Sequence, residues 1–578
     1  MADAGDVALA CCALLVDELV RGGVRHACLT PGSRSTPLAL AVARNTDIDV
    51  HVHVDERSSA YYALGIAKAS GAAVIALCSS GTAVANHFPA VVEASMAREP
   101  LIVLTADRPP ELHGVGANQT IDQQRLFGGF MRWFSDSGVP TIEGDALSHW
   151  RDIGRQAVTA AMSHPRGPVH INLPFREPLV PSGEPVSFDA GAPAEHEQVT
   201  VGALAAPSAD HVRELEWLLA SPLRVAVVAG TLSQSALRMP ALAASRGWPV
   251  LAEPTSQLRG PVSALSIPEL LVADESFREQ HRADVVLQLG AAPTTRAMQR
   301  FVREAETLVI VDPAGIVGDP DRRAALRLEC DVDELAHQLM PAERNGEMVP
   351  DGAWIASWRH ADELVRQAVD RLLDSWDEPF EGRIARDTAA VVPENGPLVV
   401  ASSMPVRDLA MFMAPRSQAM TVLANRGASG IDGTVSTALG VAAVSPNTHA
   451  LVGDLALLHD ASALLWSAGR GRDLVLVVVD NDGGGIFSLL PQASLDTQEF
   501  ELLFATPHGS SLDVAALAHA AAAGYREVTS ASAFIPAVRA AQSSRGVQLI
   551  HVRIDRARAP RMRNEVRRCV RETLQRLG

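Results

Sequence analysis

The chain has 578 residues, 47% hydrophobic and 20% charged, the balance of a globular protein with roughly two to four domains. Its formal charge of −17 argues against non-specific binding to nucleic acid or to an anionic membrane surface, and leaves small ligands, metals and protein partners open. Lys68 is the only lysine among 50 basic residues and has no Gly-Lys-Ser/Thr context, which sets aside a Walker A loop and disfavours Schiff-base chemistry.

Read in order, the first block, residues 1–190, opens with an apolar helix from Val7 to Val20 that stops at Gly22-Gly23. Strands are expected at Val24–Thr30, His51–Val54, Val74–Cys78, Leu101–Thr105 and Val169–Leu173. Their continuous apolar runs fit parallel strands covered on both faces. Residues 178–208 have no clear period and read as a linker. The second block, 191–345, expects strands at Val225–Gly230, Pro249–Ala252, Val285–Gly290 and Leu308–Asp312, and a loose region at Pro341–Gly352. The third block, 346–578, opens with a helix from Ala353 to Trp376. Strands follow at Leu398–Val400, Thr421–Leu423, Ala450–Val452, Leu474–Val479 and Leu549–Val552. In the tail, Met562, Val566, Val570, Leu574 and Leu577 recur at helical spacing, an amphipathic helix with a solvated basic face. The fold class is α/β: three Rossmann-like domains with mostly parallel sheets. The six cysteines show no C-x-x-C pair and fit buried thiols in a reducing cytoplasm. The acidic N-terminus is unlike a secretory signal, and no 18-residue apolar stretch predicts integral membrane association.

In open parallel sheets, ligands bind at the carboxyl ends of the strands. Two loops of the third block stand out there. Gly453-Asp454-Leu455 follows one strand, and Asp480-Asn481-Asp482-Gly483-Gly484-Gly485-Ile486-Phe487 follows the next. Asp454 and Asn481 are 27 residues apart, about one strand–helix–strand unit, so both loops can leave one sheet edge. A carboxylate, an amide oxygen and a glycine carbonyl are hard ligands suited to Mg²⁺ and its diphosphate partners, and the glycines admit close backbone approach. A Gly-Asp alone would be an ordinary turn; the pair at this spacing is far more specific.

These loops resemble the metal–diphosphate motif of thiamine-diphosphate enzymes, with Leu455 in place of its third Gly and Asp480 in place of its first Asn. Further matches occur in order: Pro31-Gly32-Ser33-Arg34-Ser35, Asp55-Glu56-Arg57, Ser80-Gly81-Thr82-Ala83, Thr105-Ala106-Asp107-Arg108-Pro109, Gly116-Ala117-Asn118-Gln119 and Asn425-Arg426-Gly427-Ala428-Ser429-Gly430-Ile431-Asp432-Gly433. Together they are similar to one branch, the SEPHCHC synthases of menaquinone biosynthesis. The resemblance is close in the first and third blocks and loose in the middle one.

The resemblance implies thiamine diphosphate with Mg²⁺ or Mn²⁺, held through Asp454, Asn481 and the Gly483 carbonyl, the departures leaving these ligands intact. It implies Glu56 as the carboxylate that hydrogen-bonds the cofactor's aminopyrimidine, although Asp-Glu-Arg taken alone reads as a surface turn. Ser80, Gly81, Thr82, Gly430, Gly453, Leu455, Gly484, Ile486 and Phe487 would complete the cofactor site, Ile486 propping the bent cofactor. The implied reaction decarboxylates 2-oxoglutarate and adds the resulting succinyl semialdehyde carbanion equivalent to isochorismate in a 1,4-addition. Both substrates are dicarboxylates, and arginine grips carboxylate through two parallel hydrogen bonds. By resemblance Ser403, Arg407 and Arg426 bind the 2-oxoglutarate-derived part, and Ser33, Arg34, Arg108, Asn118, Gln119 and Arg296 line the isochorismate side. Glu56, Ser33, Arg34, Gln119, Arg407 and Arg426 are the expected catalytic set. His87, His113 and His459 read as hydrogen-bonded structural or surface histidines. A homodimer or dimer of dimers is implied, with active sites at the interface. Another thiamine-diphosphate 2-oxoacid decarboxylase or carboligase is the alternative, with fewer carboxylate clamps to provide. A nucleotide oxidoreductase lacks its G-x-G-x-x-G; the nearest run, Gly427, Gly430 and Gly433, has the wrong spacing.

Overall fold

A computed structural model describes residues 3–143, 145–183, 204–219, 223–232, 236–260, 264–315, 318–340, 352–509 and 511–577. Most of the expected linker at 178–208, and all but the last residue of the loose stretch at Pro341–Gly352, lie outside them. The structure is α/β with three fully parallel sheets.

The chain divides into two compact units. The first comprises residues 1–203, 425–445 and 459–472. Its sheet has the order β2-β1-β3-β4-β6-β5, with β1 His26–Leu29, β2 Asp49–Val52, β3 Val74–Cys78, β4 Leu101–Asp107, β5 Trp133–Asp136 and β6 Val169–Pro174. Strands β3, β4 and β6 are buried at every position, as strands covered on both faces must be. Helix Ala4–Arg21 begins with a capping box between Asp3 and Asp6 and buries Leu15, Val16 and Leu19 in the core. Two helices of this unit approach almost backbone to backbone. A Cβ on Gly65 of helix Glu56–Ser70 would stand 2.1 Å from the Thr437 carbonyl oxygen in helix Thr434–Val444. One on Gly440 would stand 2.1 Å from that of Tyr62.

The second unit comprises residues 204–424, 446–458 and 473–578 and holds two sheets. One has the order β11-β10-β9-β7-β8, from β7 Val225–Ala229, β8 Val250–Ala252, β9 Val285–Leu289, β10 Thr307–Val311 and β11 Ala324–Leu328. The other has the order β13-β12-β14-β15-β17-β16, from β12 Pro397–Val400, β13 Thr421–Ala424, β14 Thr448–Gly453, β15 Leu474–Asp480, β16 Gly524–Val528 and β17 Val547–Arg553. The expected opening helix spans Gly352–Asp374 and the tail helix Ala559–Gln575. Met562, Val566 and Val570 pack with Trp354, Trp358 and Val365 of the former. The basic face of the tail helix departs from the solvated expectation at Arg563, which is buried and donates to both oxygens of Asp408 at 2.6 and 3.0 Å.

Small strand shifts also appear. The strand expected over His51–Val54 is Asp49–Val52, leaving His53 and Val54 in the connection to Glu56. All six cysteines are free, and Cys569 alone of them is half-buried rather than buried. Among the described residues no helix is long and apolar enough to cross a membrane.

Candidate active site

In the first unit, the expected residues follow four neighbouring parallel strands. Glu56 comes after β2, Ser33 and Arg34 after β1, Ser80 to Thr82 after β3, and Arg108 after β4. Adjacent parallel strands end at one edge, so four separate loops are brought to it. Glu56 begins its helix behind the N-cap Asp55, whose side chain accepts from the Arg57 and Ser58 N–H groups. Glu56 is half-buried, and its charge adds to burial in raising the Cys78 thiol at the end of β3.

The Ser80 loop is fixed by neighbouring polar groups. Gly81 has φ +80°, a left-handed conformation open to glycine. Its N–H donates to Gln123 Oε1 at 2.8 Å, and Gln123 donates onward to Ala106 O and Asn172 Oδ1. Arg108 bonds the Ser80 hydroxyl and the Gln119 carbonyl, and Gln119 Nε2 returns to Ser80 O at 2.9 Å. Ser80, Arg108 and Gln119 therefore form one cluster. Burial, and then the charge of Arg34, lower the Arg108 pKa from its usual value. Arg34 itself is buried and donates to Phe175 O at 2.8 Å and to Glu177 at 3.2 Å. Asn118 is exposed beside this cluster.

Arg426 and Gly430 lie on the loop 425–433 of the same unit. Glu93 accepts the N–H groups of Gly427 at 2.9 Å and Ala428 at 2.7 Å. Tyr61 donates its hydroxyl to Asp432 at the far end. Gly433 has φ +63°, and a Cβ there would meet the Tyr61 ring. His113 bonds Arg108 O, and His459 faces Arg57. His87 departs from the expectation of a bonded histidine: it is buried, and neither ring nitrogen has a partner among the described residues.

In the second unit, β12, β14 and β15 are consecutive, so their loops share an edge. Asp454 follows β14 and Asn481 follows β15. The Gly483 N–H donates to Asp454 Oδ2 at 2.7 Å and the Leu455 N–H to Oδ1 at 2.8 Å. Gly483 has φ +118°, and a Cβ would stand 2.1 Å from Ala505 O. Gly484 donates to that same carbonyl at 2.6 Å. Ile486 and Phe487 follow in a short 3₁₀ turn, with Phe487 tilted against Phe504. On β12's loop, Ser403 has φ +69°, and Arg407 donates back to its carbonyl. Gly453 closes β14 with open space where a Cβ would lie. Arg296 stands apart, exposed at the start of helix Arg296–Glu304, after β9 of the other sheet.

The donor set fits a hard divalent cation. Asn481 is buried, its amide bonds Glu381, and its Oδ1 has no partner among the described residues, a costly arrangement that a cation relieves. Asp454 stands beside it, its carboxyl raised to about 6 by burial and by the charge of Asp480 against the Gly483 bond. Two histidines here escaped the sequence reading. His508 Nε2 lies 3.1 Å from both Asp454 Oδ2 and Asp480 Oδ1. His551 Nε2 lies 2.8 Å from Asp480 Oδ2. Burial alone would raise the Asp480 carboxyl, but the His551 bond and the Asp482 N–H outweigh it and hold it far below the usual range. His551 carried a signal, a histidine inside an apolar strand that must find a partner. His508, in an irregular stretch, carried none.

Comparison with known proteins agrees with this geometry. Residues 11–126 match the N-terminal TPP binding domain of thiamine pyrophosphate enzymes, 200–400 their middle domain, and 406–552 their C-terminal TPP binding domain. The chain is 41% identical over 567 residues to the 2-succinyl-5-enolpyruvyl-6-hydroxy-3-cyclohexene-1-carboxylate synthase of Myxococcus xanthus, covering 94% of each. It is 42% identical over 565 residues to the protein of that name from Thermobifida fusca, covering 96% of this chain and 98% of the relative.

Proposed function

The chain belongs to the thiamine pyrophosphate enzymes and, among them, to the 2-succinyl-5-enolpyruvyl-6-hydroxy-3-cyclohexene-1-carboxylate synthase family, and from that premise we propose that it joins 2-oxoglutarate to isochorismate with loss of CO₂, in menaquinone biosynthesis. The observation that carries this reading is the shared edge of β12, β14 and β15. Asp454, Asn481 and Gly483 follow β14 and β15, and Ser403 and Arg407 follow β12, all on that edge.

Asp454, Asn481 and the Gly483 carbonyl would hold Mg²⁺ or Mn²⁺, and the Gly483–Gly484 backbone would receive a diphosphate closely. Bound thiamine diphosphate supplies the electron sink for loss of CO₂ from a 2-oxoacid. Glu56 would hydrogen-bond the aminopyrimidine ring and hold or release the proton exchanged there. Ser80, Gly81, Thr82, Gly430, Gly453, Leu455, Ile486 and Phe487 border the cofactor in this reading, the last two excluding water. Ser403, Arg407 and Arg426 take the carboxylates of the 2-oxoacid. Ser33, Arg34, Arg108, Asn118 and Gln119 take isochorismate, with Arg296 as an outer contact. Arginine suits both substrates because its charge persists at every working pH and its planar fork matches carboxylate.

The domain division in this reading is 1–190, 191–345 and 346–578, the outer two carrying the cofactor. Assembly as a homodimer or dimer of dimers is part of the same reading. Exposed apolar Val52 and Val54, next to Glu56, and Leu465 support a partner surface. Six free thiols suit a reducing cytoplasm.

The test is CO₂ release from 2-oxoglutarate with thiamine diphosphate and Mg²⁺, with and without isochorismate. Release that requires isochorismate and consumes both substrates equally supports the proposal. Release indifferent to isochorismate replaces it with another 2-oxoacid decarboxylase or carboligase.

A further inference from the structure

Glu93 has no assigned role, yet its surroundings are unusual for a carboxylate. It lies on helix Phe88–Ala97 with only 2% of its surface exposed. A buried carboxylate is stable only if its charge and lone pairs are both met. Two consecutive backbone N–H groups, of Gly427 and Ala428, meet its two oxygens, one each. The charge is met by Lys68, whose Nζ is 3.8 Å from Glu93 Oε1 and whose side chain is 5% exposed. The one lysine of the chain lies inside the protein, shared between this loop-gripping glutamate and Glu99, whose Oε1 is 3.7 Å from Nζ.

The grip falls directly after Arg426. A Cβ on Gly427 would lie 2.7 Å from both Ala97 N and Glu93 O, so the loop seats on the helix only because this residue is glycine. On the other side of Arg426, Asn425 is buried and donates from Nδ2 to Thr437 Oγ1 at 3.0 Å. The backbone of Arg426 is therefore pinned on both flanks while its side chain is left half-buried. An arginine that must meet a carboxylate in a two-bond fork needs such support, because a misplacement of about 1 Å loses the fork geometry.

We propose that Glu93, balanced by Lys68, is a positioning residue that aims Arg426 at the 2-oxoacid's carboxylate; this rests on the substrate role given to Arg426 above. Glu93 touches no substrate in this account and acts wholly through the loop.

The experiment measures KM for each substrate, kcat and the thiamine diphosphate Kd in the full-length holoenzyme for E93Q, E93A, K68M, K68R, R426A and the double variant E93Q/R426A. E93A is expected to raise KM for 2-oxoglutarate roughly tenfold or more, the scale of one lost charge-assisted hydrogen bond. E93Q and K68M should move it in the same direction by less, and K68R should restore it. KM for isochorismate and the cofactor Kd should stay within about twofold, a split that general loosening of the fold would not give. In the R426A background, E93Q should add nothing further. Additive effects in that cycle, or equal changes for both substrates, overturn the positioning role. If E93A does not fold, E93Q, K68M and the cycle decide alone. R426A with an unchanged KM for 2-oxoglutarate refutes the substrate role of Arg426 itself, whereas a raised KM in R426A with none in E93Q and K68M refutes only the part given to Glu93.

Discussion

The Gly483 N–H donates to Asp454 Oδ2 at 2.7 Å across 29 residues of chain. This bond closes the two halves of the candidate metal site on each other. It also orients Asp454, whose Oδ1 is held by its own neighbour Leu455. The site is thus shaped by backbone before any cation arrives, which lowers the ordering cost of binding.

Asp454→Ala should weaken thiamine diphosphate binding in the presence of Mg²⁺ by on the order of 100-fold, the scale on which metal-site support is lost. Chelation with EDTA should do the same to the parent protein. Tryptophan fluorescence titration with the cofactor checks both. Cofactor affinity indifferent to Asp454 and to EDTA would remove the metal from this edge.

Glu56→Gln should lower turnover by on the order of 10²–10⁴-fold, the range of one positioned proton-transfer group. Glu56 belongs to the first unit, while Asp454, Asn481 and Gly483 belong to the second, so metal and diphosphate affinity should persist. The paired readout is CO₂ release and cofactor titration on the same preparation. Near-normal product formation would take Glu56 out of the mechanism.

The strands and loops that these variants probe were largely legible before the structure. β3, β7 and β12 are apolar throughout and β4, β9, β14 and β15 carry apolar runs because helices cover both faces, and runs of that kind stand out in sequence. β5, β11 and β16 were not legible, and all three are edge strands. An edge is half-solvated: Tyr525, Arg526 and Glu527 of β16 are exposed, and Ala325 and Arg327 of β11 alternate outward. Asp454 and Asn481 could be read because each follows a buried strand directly. Glu93 and His508 could not, since one sits in mid-helix and the other in an irregular stretch, and only the fold reveals what they face. Arg563 was misread for a similar reason. A basic helical face looks solvated until an Asp408 from elsewhere in the chain buries against it.

Asp460 should leave a signature in the pH dependence of stability. It is fully buried, accepts from Ser436 N at 2.7 Å and Ser436 Oγ at 2.9 Å, and burial raises its carboxyl to about 6. An acid whose folded pKa exceeds its unfolded 3.8 favours the protonated native state. Its contribution is full below about 3.8 and is lost as pH rises through about 6, a change of roughly 3 kcal/mol. Asp460→Asn keeps an acceptor for the Ser436 N–H and offers a donor to the hydroxyls. The difference in thermal midpoint between variant and parent should therefore grow in the variant's favour from pH 4 to pH 7. A pH-independent difference would show that Asp460 keeps its usual pKa.

Gly65→Ala tests the close helix contact that lies between Glu56 and Lys68. The added methyl would meet the Thr437 carbonyl oxygen at 2.1 Å, far inside contact distance, and a backbone atom cannot swing away as a side chain can. Helix Glu56–Ser70 must then separate from helix Thr434–Val444, at a cost of about 1–3 kcal/mol for an overpacked interior. The intrinsic helix preference of alanine over glycine offsets about 1 kcal/mol of this, which leaves a destabilisation of up to about 2 kcal/mol. The same displacement carries Tyr61 off Asp432 and moves Glu56, which begins that helix. Thermal unfolding should therefore shift downward, and kcat should fall with it even at temperatures where the variant stays folded. An alanine variant with the parent's midpoint and the parent's kcat would mean that the two helices have slack that their spacing denies.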